Sequence, residues 1–202
     1  MIQNIRLPEP NIKGAKSLEE TLKLRRSVRQ FSLTTLSLSQ ISQLLWAAQG
    51  ITEKGGFRTI PSAGGTYPLE IYLVSVEGNE TLSAGIYRYD VETHSLASHL
   101  IGDLRGRLAN ASLNQDCVQQ APIDIVICAL NSRTTKRYGE RGLRYVHMEA
   151  GHAAENVYLQ SAALDLGTVV IGAFDDEAVK KAAGLTVREQ PLYIMPVGVP
   201  DL

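Results

Sequence analysis

Cysteine is scarce in this sequence: only Cys117 and Cys128 occur in 202 residues, and their spacing matches no CxxC motif. Both flank apolar stretches, so buried free thiols in a reducing compartment are expected, and nothing supports a disulfide between them. No run approaches the roughly 20 apolar residues needed to span a bilayer. The opening Met1-Ile2-Gln3-Asn4-Ile5-Arg6 has no apolar stretch of signal-peptide type. A cytoplasmic protein without membrane contact is the expectation. An excess of charge is also missing, since 20 Lys+Arg against 21 Asp+Glu leave a formal net charge of −1. That balance gives no hold on nucleic acid or on an anionic membrane. Repeats, low-complexity tracts and Pro/Gly/Ser-rich linkers are lacking, which favours a single domain over residues 1–202.

Several chemistries lose their support in the same way. The sequence has neither G-x-G-x-x-G nor a Walker loop, so a Rossmann site or P-loop has no basis. HExxH, Cys/His zinc spacing and a G-x-S-x-G elbow are absent too. Glu149-x-x-His152 has the spacing of half a carboxylate di-iron site, but that site needs a second such pair and further inward glutamates. No metal is expected. His152 and Asn156, at i and i+4 on one helix face, are expected to form a structural hydrogen bond.

What is present begins with helix signals. Ser17 and Glu20 are spaced as a capping box for a first helix through Arg26, and Ser37 with Gln40 repeats the device. The second helix would bury Ile41, Leu44, Leu45 and Ala48 and stop at Gly50. From Ile51 to Pro68 the periodicity breaks into a long loop. Strands are predicted over Leu69–Val76, Gly85–Tyr89 and Ser95–Leu100, then a helix near Asp103–Leu113. Ile123–Leu130, almost wholly apolar, reads as a central strand covered on both faces. A long helix over Tyr145–Leu166 follows, then strands over Val169–Phe174 and Leu192–Val197 around a helix at Asp176–Ala183. Without a regular βαβ rhythm, the fold class is α+β around one sheet.

Three clusters could carry chemistry. Arg25, Arg26, Ser27 and Arg29 place three guanidiniums and a hydroxyl at a helix end, an anion clamp by Arg geometry. Taken alone, a solvated helix end with cations on the C-terminal dipole is the more ordinary reading. A second basic group follows at Arg133, Lys136, Arg137, Arg141 and Arg144, and patches of this size suit a phosphate-bearing small molecule. Arg58 to Pro68 contains Pro61-Ser62-Ala63-Gly64-Gly65, small residues that either admit a flat ligand or simply connect to a strand. Gly167 to Phe174 brackets an apolar run with glycines and reads as a helix stop plus core strand, or as a ligand wall.

Taken in order, RRSVRQF (Arg25–Phe31), PSAGGTYPLEIYLV (Pro61–Val74) and GHAAENVYLQSAALDLGTVVIGAF (Gly151–Phe174) resemble the nitroreductase family of FMN enzymes. The SagB-type dehydrogenase and azoline-oxidase branch is the nearer likeness, and LYIMPVG (Leu192–Gly198) resembles the family's last core strand. The resemblance implies a mostly antiparallel central sheet flanked by helices, in an intertwined homodimer with FMN at the interface. On the family pattern Arg25, Arg26, Ser27 and Arg29 hold the ribityl phosphate and pyrimidine side. Pro61, Ser62, Ala63 and Gly64 reach in from the other subunit, and Ile171, Gly172 and Ala173 line the ring. No side chain is expected to be catalytic, because the flavin carries the redox chemistry. Cations near N1 and O2 stabilise the charge of reduced flavin.

The implied activity is hydride transfer from NAD(P)H to flavin N5 and onward to a flat acceptor such as a nitroaromatic or quinone. The alternatives are a dehydrogenase passing electrons to oxygen and a non-catalytic flavin-binding protein. Two departures stand out. Gly65 and Leu69 replace the Asn and Trp of many nitroreductases, which the SagB-like branch accommodates. Asp201-Leu202 follow Pro196-Val197-Gly198-Val199-Pro200 where many relatives have a basic residue, so phosphate binding should lean on Arg25–Arg29. Azoline oxidases use a Lys-Tyr pair, and Lys136, Arg137 and Tyr138 fall in a predicted loop suited to it.

Overall fold

The computed structural model describes residues 4–79 and 82–201. Seven antiparallel strands form one sheet in the order β1-β4-β3-β2-β5-β7-β6. They are β1 (Asn4–Arg6), β2 (Leu69–Ser75), β3 (Gly85–Asp90), β4 (Ser95–Ile101), β5 (Ile123–Ala129), β6 (Gly167–Thr168) and β7 (Gln190–Gly198). The helices are α1 (Leu18–Leu24), α2 (Leu38–Gln49), α3 (Arg105–Ala111), α4 (Asp116–Gln120), α5 (Ser132–Tyr138), α6 (Arg141–Ala163) and α7 (Asp176–Ala183). The α+β class is as the sequence predicts, and the antiparallel sheet is as the resemblance implies.

Both capping boxes form. Ser17 and Ser37 accept the amides of Glu20 and Gln40, and each N3 side chain returns a bond to its cap. Two such caps satisfy helix-end donors that would otherwise go unpaired.

The sheet is covered on both faces, which explains why β5 is apolar without alternation. Ile123, Ile125 and Ile127 point into one core with Ile41, Leu44, Val146, Ala150 and Val157 of α2 and α6. Val126 and Cys128 point into the other, with Leu108, Val118 and Val179 of α3, α4 and α7. Both cysteines are buried free thiols. No helix among the described residues is long and apolar enough to cross a membrane.

Four expectations need correction. Val169–Phe174 is not a strand, because after Thr168 only Ile171 returns to the sheet, exchanging both backbone bonds with Ile194. The long helix starts four residues early, at Arg141, and ends at Ala163. The segment around Lys136–Tyr138 is helical, and α4 was not foreseen. Asn156 does not bond His152; its Nδ2 donates to Ala47 O at 2.9 Å and Thr59 O at 3.3 Å, tying α6 to α2 and to the following loop.

Candidate functional site

The first and third clusters meet through Tyr158. Ser27 forms a parallel bridge with Thr168, and Val28 N–H donates to Thr168 O at 2.9 Å. This approach requires glycine at 167, where a Cβ would lie 2.7 Å from Val28 Cβ. Ser27 Oγ lies 3.0 Å from Tyr158 Oη, and the same oxygen accepts Val170 N–H at 2.9 Å. The Arg25 guanidinium sits over the Tyr158 ring, 5.1 Å from its centroid, a contact on the scale of about 0.5–1 kcal/mol at an open site. One tyrosine on α6 therefore holds the arginine segment against the chain leaving that helix.

Among the described residues, no ion pair involves Arg25, Arg26 or Arg29. Arg26 and Arg29 are exposed and Arg25 is half-buried. Arg26 Nη1 donates to Lys23 O and Arg25 O, which folds it back over the end of α1. Ile171 is fixed in the sheet, while Gly172 and Ala173 are exposed. The N–H groups of these two residues have no acceptor among the described residues. A Cβ at Gly172 would meet only the Tyr193 ring, at 3.6 Å.

The second cluster stands apart. Ser62 Oγ donates to Glu149 Oε2 at 2.6 Å and accepts Tyr67 N–H at 2.9 Å. Glu149 and Tyr158 are nine residues apart on α6, about 13.5 Å of helix rise. Within one chain, Pro61, Ser62, Ala63 and Gly64 are thus displaced along the helix from Arg25–Arg29 and Ile171–Ala173. Gly64 and Gly65 have positive φ of 61° and 64°, and Arg137 Nη1 donates to Gly64 O at 3.2 Å. Tyr138 Oη lies 2.6 Å from where a Gly64 Cβ would be. Lys136 belongs to the same helix, but Arg137 and Tyr138 are the side chains that reach the loop.

Electrostatics adds two features. Glu149 is buried at 2% exposure, and burial raises its pKa, while the Ser62 hydroxyl, nearby Arg58 and Gln49 oppose the rise. Glu70 is gripped from both sides, by Arg88 (Nη2, 2.6 Å) and Arg133 (Nη2, 2.6 Å). His152 is exposed, so Glu149 and His152 do not face one site, and no metal-binding group forms among the described residues. Sequence reasoning missed Tyr158, Gln49 and the Ser62–Glu149 link. A lone hydroxyl between Val157 and Leu159 was the available signal for Tyr158.

Comparison with known proteins identifies the family. The Nitroreductase family profile matches residues 22–199, which include all three clusters. A nitroreductase-like protein of Methanocaldococcus jannaschii is 47% identical over 189 residues, covering 94% of this chain and 93% of its own. A solved nitroreductase-like structure from Ralstonia eutropha superposes with a TM-score of 0.86 at 35% identity, covering 98% of this chain and 90% of the other. The microcin B17-processing protein McbC of Escherichia coli is 27% identical over 158 residues, covering 76% of this chain and 58% of McbC. With the family profile matching residues 22–199 and the fold shared with a solved relative of 35% identity, the chain belongs to the nitroreductase family of oxidoreductases.

Proposed function

We propose that this chain, as a homodimer, binds FMN between subunits and catalyses NAD(P)H-dependent reduction of a flat acceptor such as a nitroaromatic or quinone. One observation carries the reading: Tyr158, under Arg25 and bonded to Ser27 and Val170, ties the segment of three arginines without carboxylate partners among the described residues to an exposed small-residue wall. Unpaired arginines suit a phosphate, and a glycine–alanine wall leaves room for a planar ring. The residues therefore fit FMN.

Arg25, Arg26 and Arg29 would bind the phosphate and balance negative charge on the pyrimidine side, with Ser27 beside them. Ile171, Gly172 and Ala173 would flank the ring, offering backbone donors rather than bulk. Pro61, Ser62, Ala63 and Gly64, held about 13.5 Å along α6, would complete the site of the neighbouring subunit. Bound FMN supplies two-electron redox chemistry at N5, between NAD(P)H and the acceptor. The protein's part is then binding, orientation and charge balance, with no side-chain acid or base required.

A second reading, a substrate dehydrogenase passing electrons to oxygen, draws on Arg137 and Tyr138, which place a cation and a hydroxyl against the 61–65 loop. The likeness to the microcin B17-processing protein McbC is compatible with it. The deciding measurement is an absorbance spectrum of the purified protein, then anaerobic addition of NADPH and NADH. Flavin bands that bleach within seconds support the reductase. Bound flavin that resists both nucleotides favours the dehydrogenase or a flavin-binding protein without turnover. A colourless protein that cannot be reconstituted with FMN overturns the proposal.

A further inference from the structure

The loop carrying Pro61–Gly64 rests on a ring of polar side chains drawn from α2, α6 and the loop itself. Arg58 Nη1 donates to Gln49 Oε1 at 2.7 Å. Gln49, with no solvent exposure, stands beside Glu149. Glu149 Oε2 accepts from Ser62 Oγ, and Ser62 Oγ accepts the Tyr67 amide. The Tyr67 ring lies beneath the Arg58 guanidinium, 4.3 Å from centroid to Cζ, and closes the circuit. Its neighbours Val146, Ala150 and Ala153 on α6 are apolar and buried, so packing alone does not ask for a carboxyl at 149.

Burying a carboxyl with few partners is costly, and Glu149 Oε1 has no hydrogen bond of good geometry among the described residues. The bond Glu149 does make goes to the one side chain that receives the Tyr67 amide. Tyr67 needs that support, because its φ of 43° is unusual for a residue with a Cβ. We infer that Glu149 is a positioning residue: through Ser62 it sets the 61–67 loop in the shape that presents Pro61–Gly64 to the cofactor. The cofactor part of this inference rests on the FMN reading above, whereas the loop part does not.

The test uses the full chain as wild type, Glu149→Gln, Glu149→Ala, Ser62→Ala and the Glu149→Ala/Ser62→Ala double variant, with circular dichroism as a check on folding. Hydrogen–deuterium exchange over residues 60–68 without FMN reads the loop, and fluorescence titration reads FMN affinity. Glu149→Ala and Ser62→Ala should each speed exchange at the Tyr67 amide by about tenfold, the equivalent of one hydrogen bond. The double variant should be no faster than either single, because both remove the same link. Glu149→Gln keeps an oxygen to accept from Ser62 and should restore slow exchange together with FMN affinity. Should Glu149→Ala fail to fold, Ser62→Ala and Glu149→Gln still decide the matter. Unchanged exchange in Ser62→Ala, no rescue by glutamine, or additive effects in the double variant would overturn the inference. A wild type with slow exchange that takes up no FMN overturns the cofactor reading alone, and exchange still judges the loop.

Discussion

Ser27 Oγ lies 3.0 Å from Tyr158 Oη, an oxygen that also receives the Val170 amide. Two segments 143 residues apart in sequence, at Ser27 and Val170, thus share one hydroxyl. Tyr158→Phe should leave the Val170 amide without its acceptor and loosen Ser27. The expected loss is about 1–3 kcal/mol, or roughly 2–4 °C in Tm per kcal/mol for a domain of this size. A melt indistinguishable from wild type would show that water replaces the hydroxyl at no cost.

Arg29 is exposed and without an ion-pair partner among the described residues, so its removal should leave the fold unharmed. If it binds the phosphate, Arg29→Ala weakens FMN affinity by roughly 1.5–3 kcal/mol, the scale of a charged hydrogen bond. Fluorescence-quench titration measures this directly, and an unchanged Kd would remove Arg29 from the site.

Two glycines near the proposed ring should behave differently. Gly167→Ala pushes a methyl group to 2.7 Å from Val28 Cβ, an overpacking cost of about 1–3 kcal/mol. Gly172→Ala meets only the Tyr193 ring at ordinary contact distance. Thermal melts should therefore separate them, with 167 lowered and 172 near wild type. The alanine at 172 should show itself only as weaker FMN binding.

Asp124 is wholly buried in β5, neither of its oxygens has a hydrogen-bond partner among the described residues, and burial drives its carboxyl pKa well upward although Arg105 opposes the shift. A carboxyl raised in the folded state favours folding while protonated, below its unfolded value near 3.9. That contribution fades as pH rises toward and through the folded value. Relative to wild type, Asp124→Asn should grow steadily more stable from about pH 4 upward. Urea midpoints at several pH values give the comparison, and parallel curves would mean the site is solvated.

Much of this was readable in the residues because local rules and tertiary demand agreed. The capping boxes at Ser17 and Ser37 each specify a helix start through two reciprocal bonds, whatever packs nearby. The almost wholly apolar run of β5, interrupted by Asp124, reported a strand covered on both faces. Where the reading failed, long-range contacts decided. Val169–Phe174 has a strand's composition, but Val170 spends its amide on Tyr158 rather than on a ladder. Asn156 passed over His152 because the carbonyls of Ala47 and Thr59 lay within reach. Of the candidate site, the cluster residues were legible as motifs. Their supports on α6, Tyr158 and Glu149, were not, since no local pattern says which buried polar group answers which loop.

The helix that separates Ser27's anchor from Ser62's also has a genetic meaning. On the shared-site reading, each chain lends one half to a site on either side of the subunit boundary. A chain damaged only at Arg29 and one damaged only at Ser62 would each fail by themselves. Mixed and allowed to exchange subunits, they would form hybrids with one doubly damaged site and one intact site. Flavin binding would reappear in a mixture of two inactive preparations, up to half the wild-type occupancy in each hybrid.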